Sequence, residues 1–279
     1  MRQAALLLLL LLAGIVVAQD TVYVCPMDPD VRSNQPGFCL RCGMKLAAGL
    51  PDPAEYRMDM AVTPHLLRAG QKVQLGFTVR DPSKGLAVSR FQVVHERLFH
   101  LFVVSQDLQF FAHDHPALLP GGTFSYETAF PTPGMYRLLA DFYPDGATPQ
   151  LVAKTLIVPG GARPAAAPPR DYSPKDCENL RVELSTDPLQ PVAGMKTLMF
   201  FRISPADGFE PYLGAWGHML AASSDLIDLM HTHPFLANGP LVQFNVEFPR
   251  AGTYRVWVQF QRKGVVNTAR FDVPVARLE

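Results

Sequence analysis

The sequence predicts a mainly β protein in which two tandem antiparallel β-sandwich domains of immunoglobulin type follow a small cysteine-rich module. Short runs alternate between apolar and polar residues, as in Val73-Gln-Leu-Gly-Phe-Thr-Val79, and this period of two is typical of half-buried strands. Turn signals such as Pro133-Gly134 and Asp145-Gly146 separate the runs. The same pattern also allows a cupredoxin-like barrel, which is the main structural alternative.

The third observation behind the fold class is an internal repeat. The two halves match at a constant offset of 118 residues, as from His100 to His218, and the alignment needs no gap. Residues retained at this offset include polar, aromatic and histidine positions: Ser105 and Ser223, Asp107 and Asp225, His113 and His231, His115 and His233, Tyr136 and Tyr254. The repeat predicts a duplicated domain of about 100 residues.

The N-terminus predicts export. Arg2 is followed by an almost unbroken apolar run that ends at Ala18, which is the pattern of a secretory signal peptide. An uncleaved membrane anchor is the alternative, although the run is short for a bilayer span of about 20 residues. We therefore expect a periplasmic or secreted protein without a membrane span once the signal is removed.

Composition and turn signals divide the chain further. We predict a signal peptide at 1–18, a metal-binding module at 19–50, a first sandwich at 51–160, a linker at 161–176 and a second sandwich at 177–279. The linker is rich in proline and alanine, which stiffen it. Lys and Arg total 25 and so do Asp and Glu, and this balance argues against nucleic acid as a partner.

Three of the four cysteines crowd into one short segment, and the fourth, Cys177, lies far away. This placement favours a metal site over a simple disulfide framework. In Cys39-Leu-Arg-Cys42-Gly43 a tight turn lets two thiolates converge on one ion, and an arm that begins at Cys25 would bring a third sulfur. Met27 and Met44 would add soft thioether ligands, which suit Cu(I).

The segment Tyr23–Leu46 resembles the heavy-metal-binding domain of copper-transporting ATPases and periplasmic efflux adaptors. The resemblance implies a site built on Cys25, Cys39 and Cys42 with Met27 and Met44. The family's histidine is Asp28 here, and an oxygen ligand at that position would shift the preference toward Zn(II). A structural zinc knuckle that only holds the module together, or a disulfide between two of the cysteines, are the alternatives.

The repeat contains six of the eight histidines. We predict a hairpin in each copy whose turn lies near Asp107 or its equivalent, so that His100 lies opposite His113 and His115 shares their face. Three imidazoles would then converge as a copper or zinc ion requires. The second copy repeats this arrangement with His218, His231 and His233. The structural alternative is that these histidines cap a sandwich edge by bonding to backbone carbonyls.

Other candidate ligands receive a structural interpretation. His65 and His95 are expected to be surface residues, and Cys177 a free or intermolecular thiol. Alternation along the strands should point Met219 and Met230 away from the histidines, and the same holds for Asp114.

Together these features predict an exported copper- or zinc-binding protein of the cell envelope, acting in metal resistance, storage or delivery to an efflux or other envelope protein. The tandem sandwiches also resemble exported bacterial domains that carry His-x-His-Pro after Ser-x-Asp-Leu, a resemblance that implies no mechanism. An immunoglobulin-like interaction scaffold with a purely structural zinc knuckle is the alternative. A metalloenzyme is not expected, because spacing places no general base beside the histidines.

Overall fold

The structure is a computed structural model that describes residues 22–25, 31–40, 45–49, 54–161 and 167–278. The predicted signal peptide lies outside these residues, and so do four of the predicted ligands: Met27, Asp28, Cys42 and Met44. The described residues form strands and turns. In this part of the chain no helical segment has the length and apolarity that crossing a bilayer needs.

Strands of the module and of the first sandwich follow one another along the chain. The module has β1 Tyr23–Val24, β2 Arg32–Ser33 and β3 Ala47–Ala48, which form a small sheet in the order β2-β1-β3. The first sandwich has β4 Arg57–Thr63, β5 Lys72–Arg80, β6 Phe99–Ser105, β7 Phe111–Asp114, β8 Ala117–Leu119, β9 Thr123–Ala129, β10 Gly134–Phe142 and β11 Gln150–Val158.

The second sandwich repeats this series after the linker. Its strands are β12 Lys175–Asp176, β13 Arg181–Asp187, β14 Lys196–Ser204, β15 Phe209–Glu210, β16 His218–Ser223, β17 Leu229–Thr232, β18 Leu236–Asn238, β19 Leu241–Glu247, β20 Gly252–Arg262 and β21 Val265–Val275. Part of the predicted linker belongs to this sandwich: Asp171 pairs with Asp272, and β12 pairs with β13. The domain boundaries themselves stay a prediction.

The strand order of both sandwiches is that of the immunoglobulin type. In the first sandwich one sheet has the order β4-β5-β9-β8 and the other β11-β10-β6-β7, which correspond to strands A-B-E-D and G-F-C-C′. The second has β13-β14-β19-β18 and β21-β20-β16-β17 in the same places. All of these pairings are antiparallel, so the predicted fold class is confirmed and the barrel alternative is wrong.

A tyrosine marks the same corner of each sandwich. Tyr136, near the start of strand F, donates a hydrogen bond to the backbone carbonyl of Thr132. Tyr254 does the same to Arg250 in the second copy. This tyrosine corner is a recurring feature of immunoglobulin-like domains and supports the assignment.

Strand β6 is buried on both of its faces, and this explains its nearly continuous apolar sequence. Phe99, Leu101 and Val103 point into the core of the first sandwich. Phe102 and Val104 point the opposite way, into a second apolar cluster that also contains side chains of the second sandwich. The two sandwiches therefore pack through their G-F-C-C′ sheets.

The interface between the sandwiches is built from equivalent residues of the two copies. Its buried apolar side chains form four pairs at the repeat offset: Phe102 and Leu220, Val104 and Ala222, Leu108 and Leu226, Leu139 and Trp257. The ring of Phe111 stacks on that of Trp257 with 5.0 Å between centroids. Repeated residues that meet across one surface indicate a pseudo-twofold relation between the sandwiches.

The N-terminal module is seated on the first sandwich. Cys25, Cys39 and Leu46 form one buried cluster with Val94 and Tyr143. A module this small has little core of its own, so contact with the sandwich supplies apolar partners that it otherwise lacks. The contact lies beside the start of β6, which contains His100.

Candidate metal centre

Seven of the eight histidines lie in a single buried centre between the two sandwiches: His95, His100, His113, His115, His218, His231 and His233. Imidazole rings from opposite sandwiches are close to each other, with centroids 3.8 Å apart for His95 and His233 and 6.0 Å apart for His100 and His218. The first predicted triad is present with its three residues, whereas in the second His95 takes the place of His231, and both triads lie in one interface instead of two separate hairpins. His65 is exposed, as expected.

The register of the histidine hairpin differs from the prediction by two residues. His113 lies opposite Phe102, so His100 is placed toward His115 rather than His113. The cause is the position of the turn. The amide of Ser105 donates to the carbonyl of Phe110, which places the turn one residue further along the chain than expected. A shift of two leaves every side chain on its predicted face, and the three histidines still converge.

In the first triad three ring nitrogens approach one another. His100 Nδ1 is 3.1 Å from His113 Nε2 and 3.2 Å from His115 Nε2. Two imidazole nitrogens that bind one ion at ~2.1 Å in tetrahedral geometry are about 3.4 Å apart. The spacing of the triad is thus close to the spacing that a metal ion imposes.

Hydrogen bonds at the far side of each ring determine which nitrogens carry protons. His100 Nε2 donates to the carbonyl of Val94 at 3.0 Å, and His113 Nδ1 donates to Gln259 Oε1 at 2.7 Å. Gln259 Nε2 in turn donates to Thr268 Oγ1, which orients the amide. A neutral imidazole has one proton, so His100 Nδ1 and His113 Nε2 face each other with lone pairs, an arrangement that a cation between them would stabilise.

The second triad is arranged like the first, except that His95 of the first sandwich takes the place expected for His231. His218 Nε2 donates to the carbonyl of Tyr212 at 3.0 Å, and His218 Nδ1 is 3.0 Å from His233 Nε2. The third member is His95 of the first sandwich, and the three have ligand atoms within 4.8 Å of one another. The centre thus provides two groups of three imidazoles, and the second group draws on both sandwiches.

His231, which was expected in the second triad, is oriented by a buried carboxylate. Its Nδ1 donates to Asp141 Oδ2 at 2.7 Å across the interface. At the repeat offset this contact corresponds to the bond between His113 and Gln259. A carboxylate that accepts the second N–H of a histidine fixes its tautomer and raises its basicity as a ligand.

Two buried nitrogen atoms of the centre have no hydrogen-bond partner among the described residues: His95 Nε2 and His231 Nε2. An unsatisfied buried polar atom costs about 1–3 kcal/mol, and native structures seldom retain one without a reason. Both atoms belong to the centre in which the triads converge. Their donor chemistry fits a bound metal ion, because imidazole is a common ligand of zinc and copper.

His95 lies in a strained turn. It has φ 46° and Glu96 has φ 61°, the left-handed backbone that glycine or asparagine usually occupies in a two-residue hairpin turn. The second copy has Leu213 and Gly214 there, with φ 49° and 71°. Strained positions persist where the surroundings require them and they concentrate at functional sites.

Burial keeps the imidazoles of both triads neutral. Desolvation, followed by repulsion from neighbouring imidazoles, lowers the pKa of His95 to about 3 and that of His100 to about 4. Desolvation likewise lowers the pKa of His115 to about 3 and holds the pKa values of His113 and His218 well below the ordinary range. Metal ions bind the neutral form of histidine, so these imidazoles are already in the protonation state that binds a metal ion.

Asp141 is the buried carboxylate of the centre, and its ionised state suits a centre that binds a cation. Burial acts to raise its pKa, but the hydrogen bond donated by His231 outweighs burial and lowers it. The centre therefore contains a buried negative charge beside the neutral triads. This charge would offset part of the charge of a cation.

Three residues near the histidines point away from them, as alternation predicted. Met219 is buried in the core of the second sandwich, and Met230 packs against that core. Asp114 accepts a hydrogen bond from the hydroxyl of Tyr126. None of the three faces the histidine centre.

Sequence reasoning missed three residues of the centre: His95, Asp141 and Gln259. For the last two a signal existed, because Asp141 and Gln259 are polar residues at equivalent positions between apolar neighbours on repeated strands. His95 was expected at the surface but is 6 % exposed. The repeat gave no signal for His95, because its counterpart is Leu213.

Of the predicted module ligands, the structure describes Cys25 and Cys39, and both are buried. Both belong to the buried cluster that also contains Val94, and Val94 is the residue before His95 of the histidine centre. Cys177 is a free, half-buried thiol near the core of the second sandwich, and burial raises its pKa to about 11.

Comparisons with solved structures find distant similarity. An adhesin from Escherichia coli, FdeC, is 13% identical, with 84% of this chain and 71% of that chain covered and a TM-score of 0.29. A two-domain fibronectin type-III segment of chicken tenascin is 10% identical, with coverage of 79% and 99% and a TM-score of 0.24. Because these scores are low, the fold assignment is based on the strand order. The search of curated proteins gave no significant match.

Two family models match the sequence. Residues 22–48 match the heavy metal binding domain, in agreement with the motif around the cysteines. Residues 45–158 and 175–277, which include both sandwiches and all seven histidines of the centre, match a domain of unknown function, DUF8832. Neither family is described by an enzymatic activity. The chain therefore belongs to the DUF8832 family and carries a heavy metal binding domain at its N-terminal side.

Proposed function

We propose that this chain is an exported heavy-metal-binding protein of the cell envelope that holds copper or zinc ions as cargo in the histidine centre between its sandwiches. The convergence of two imidazole triads in one buried interface is the observation that carries this proposal. The match to a heavy metal binding domain supports metal as the ligand class. The apolar run up to Ala18 supports export.

The donor set favours certain ions. Imidazole nitrogens suit zinc, copper, iron and nickel, whereas thiolates and thioethers favour Cu(I) and zinc. Zinc and copper are common to both sets, so we propose one of these for a protein with both kinds of site. Two triads give the centre room for two ions, in addition to the module.

Burial favours retention of an ion over catalysis on it. His100 and His218 are each 1 % exposed, and Asp141, the buried carboxylate, is engaged by His231. A catalytic zinc needs an open position and a general base near it. We therefore propose storage, resistance or delivery to an efflux or other envelope protein as the role.

Elemental analysis of purified protein tests this function. The chain from Gln19 onward, and a shorter chain from Ala54 onward that lacks the module, are loaded with Zn(II) or Cu(II) and desalted. We expect the shorter chain to retain metal, and a variant with both His113→Asn and His233→Asn, which removes one ligand from each triad, to lose most of it. His65→Asn, which changes an exposed histidine, is the matched control and should bind as the parent does. A shorter chain that retains no ion would refute the proposed role of the centre.

A further inference from the structure

A cavity of about 430 Å³ lies between the cysteine module and the second sandwich. Cys39 and Leu40 of the module form one side of it, and the residues of the second sandwich that line it include Ala215, Trp216, His233 and Ala237. One of the module's cysteines and one member of the second triad therefore border the same space. No charged side chain is among the described residues that line it, so the walls offer no carboxylate to hold a cation midway.

The polypeptide links the two sites as well. Val94 packs against Cys25 and Cys39, and its carbonyl accepts the hydrogen bond from His100 Nε2. The next residue, His95, stacks on His233 with ring centroids 3.8 Å apart. Val94, which contacts the module, and His95, which belongs to the second triad, are thus adjacent residues of one backbone segment.

Access to the two triads differs. His113 and His115 of the first triad are partly exposed. All three members of the second triad are buried, and His233 is the one that lines the cavity. An ion can therefore reach the first triad from solvent, whereas this cavity leads to the second.

We propose that the second triad, made of His95, His218 and His233, exchanges its metal ion with the cysteine module through this cavity. This inference rests on the proposed function. The ion moves by stepwise replacement of thiolate ligands with imidazole nitrogens and keeps its oxidation state. The vacated thiolates take up protons from water, and the imidazoles, already neutral, release none.

Co(II) is a suitable probe, because thiolate ligation produces an intense charge-transfer band that nitrogen ligation lacks. Less than one equivalent of Co(II) is mixed under anaerobic conditions with the reduced chain from Gln19 onward that carries His115→Asn. This substitution disables the solvent-accessible first triad, and this chain is the parent of the variants below. We expect the thiolate band to form first and then to decay as the d–d bands of nitrogen-ligated cobalt grow.

Two variants test the route. Ala237→Phe narrows the cavity, and we expect the transfer rate to fall by about tenfold, which corresponds to a barrier about 1.4 kcal/mol higher. Ala237→Ser is its matched control and should transfer as the parent does. Cys39→Ser should abolish the thiolate phase, whereas Cys177→Ser, which changes a thiol outside the module, should leave it unchanged. Circular dichroism verifies that each variant is folded.

The outcomes separate this inference from the proposed function. If Ala237→Phe and Cys39→Ser fill the nitrogen sites at the parent's rate, the centre binds metal but the cavity is not its route, and the inference is wrong. If excess Co(II) never produces nitrogen-ligated bands in any variant, the proposed function itself fails. A stable thiolate band in the parent, with no growth of the nitrogen-ligated bands, also overturns the inference.

Discussion

Asp141 and Gln259 make the two halves of the centre chemically unequal. Each accepts a hydrogen bond from the Nδ1 of a histidine on the opposite sandwich, at 2.7 Å in both cases. The repeat has kept the contact but changed the acceptor from a carboxylate to an amide. A carboxylate acceptor makes a metal-binding imidazole a stronger donor than an amide acceptor does, so we expect the two halves to differ in affinity.

Asp141→Asn should weaken metal binding without removing a ligand. The amide keeps the shape of the side chain but removes the negative charge, and loss of such a partner typically lowers metal affinity by about 10–100-fold. Competition against a chromophoric chelator measures the change. Gln259→Glu, which installs a carboxylate in the other half, should strengthen binding. An affinity that is unchanged in both variants would show that these residues do not tune the centre.

His95→Leu should remove one of the two sites in the centre. Leucine stands at the equivalent position in the second copy with nearly the same φ, 49° against 46°, so the turn should tolerate it. We expect the protein without its module to lose one bound ion and to keep the ion of the first triad. Elemental analysis gives the stoichiometry, with His65→Leu as the exposed control. Unchanged stoichiometry would contradict the assignment of His95 as a ligand.

At the scale of the element, strand β6 shows what sequence patterns reveal and what they do not. Its apolar run and the turn after it predicted a strand and a hairpin, and both are present. The pattern did not reveal that the second face of β6 packs on another sandwich, because a strand that is buried on both faces reads as one continuous apolar run. The register shifted by two residues, since the position of the turn depends on hydrogen bonds that a residue count does not contain.

The low pKa values of the histidines in and beside the first hairpin also predict how pH affects the stability of the fold. The pKa values of His95, His100 and His115 in the folded protein are about 3, 4 and 3, below the ordinary 6.5. The unfolded chain thus binds more protons than the folded one below about pH 6.5, and the free energy of unfolding must fall as the pH decreases from there. Chemical denaturation of metal-free protein at about pH 7 and pH 5.5, a window above most carboxylate titrations, measures this effect. An unfolding free energy that is equal at both values would contradict the buried, neutral state of these rings.

At the scale of the whole molecule, the centre depends on how the sandwiches pack. The repeat predicted the duplicated domain and the histidines that it retains, and the motif predicted the module. The repeat could not predict that the two sandwiches meet face to face, because an offset in sequence contains no information about the relative placement of the two copies. The merging of the triads and the entry of His95 into the second triad both follow from that packing.

Trp257→Ala tests this dependence without altering a ligand. Trp257 is 3 % exposed and stacks on Phe111 across the interface, and replacing a buried tryptophan with alanine typically costs about 3–5 kcal/mol. We expect metal affinity of the centre to fall together with the unfolding free energy. Trp216→Ala, at the only other tryptophan, is 42 % exposed in the parent and is the control for stability. Full metal affinity in Trp257→Ala would show that the centre does not need the interface.

The most direct test of the shared centre is anomalous diffraction from crystals of the zinc-loaded protein, with data on both sides of the zinc absorption edge. We expect anomalous peaks between the sandwiches, within about 2.1 Å of nitrogens of His100, His113 and His115 and of His95, His218 and His233. Peaks at the cysteine module alone, with none at the histidines, would contradict a metal centre shared by the two sandwiches.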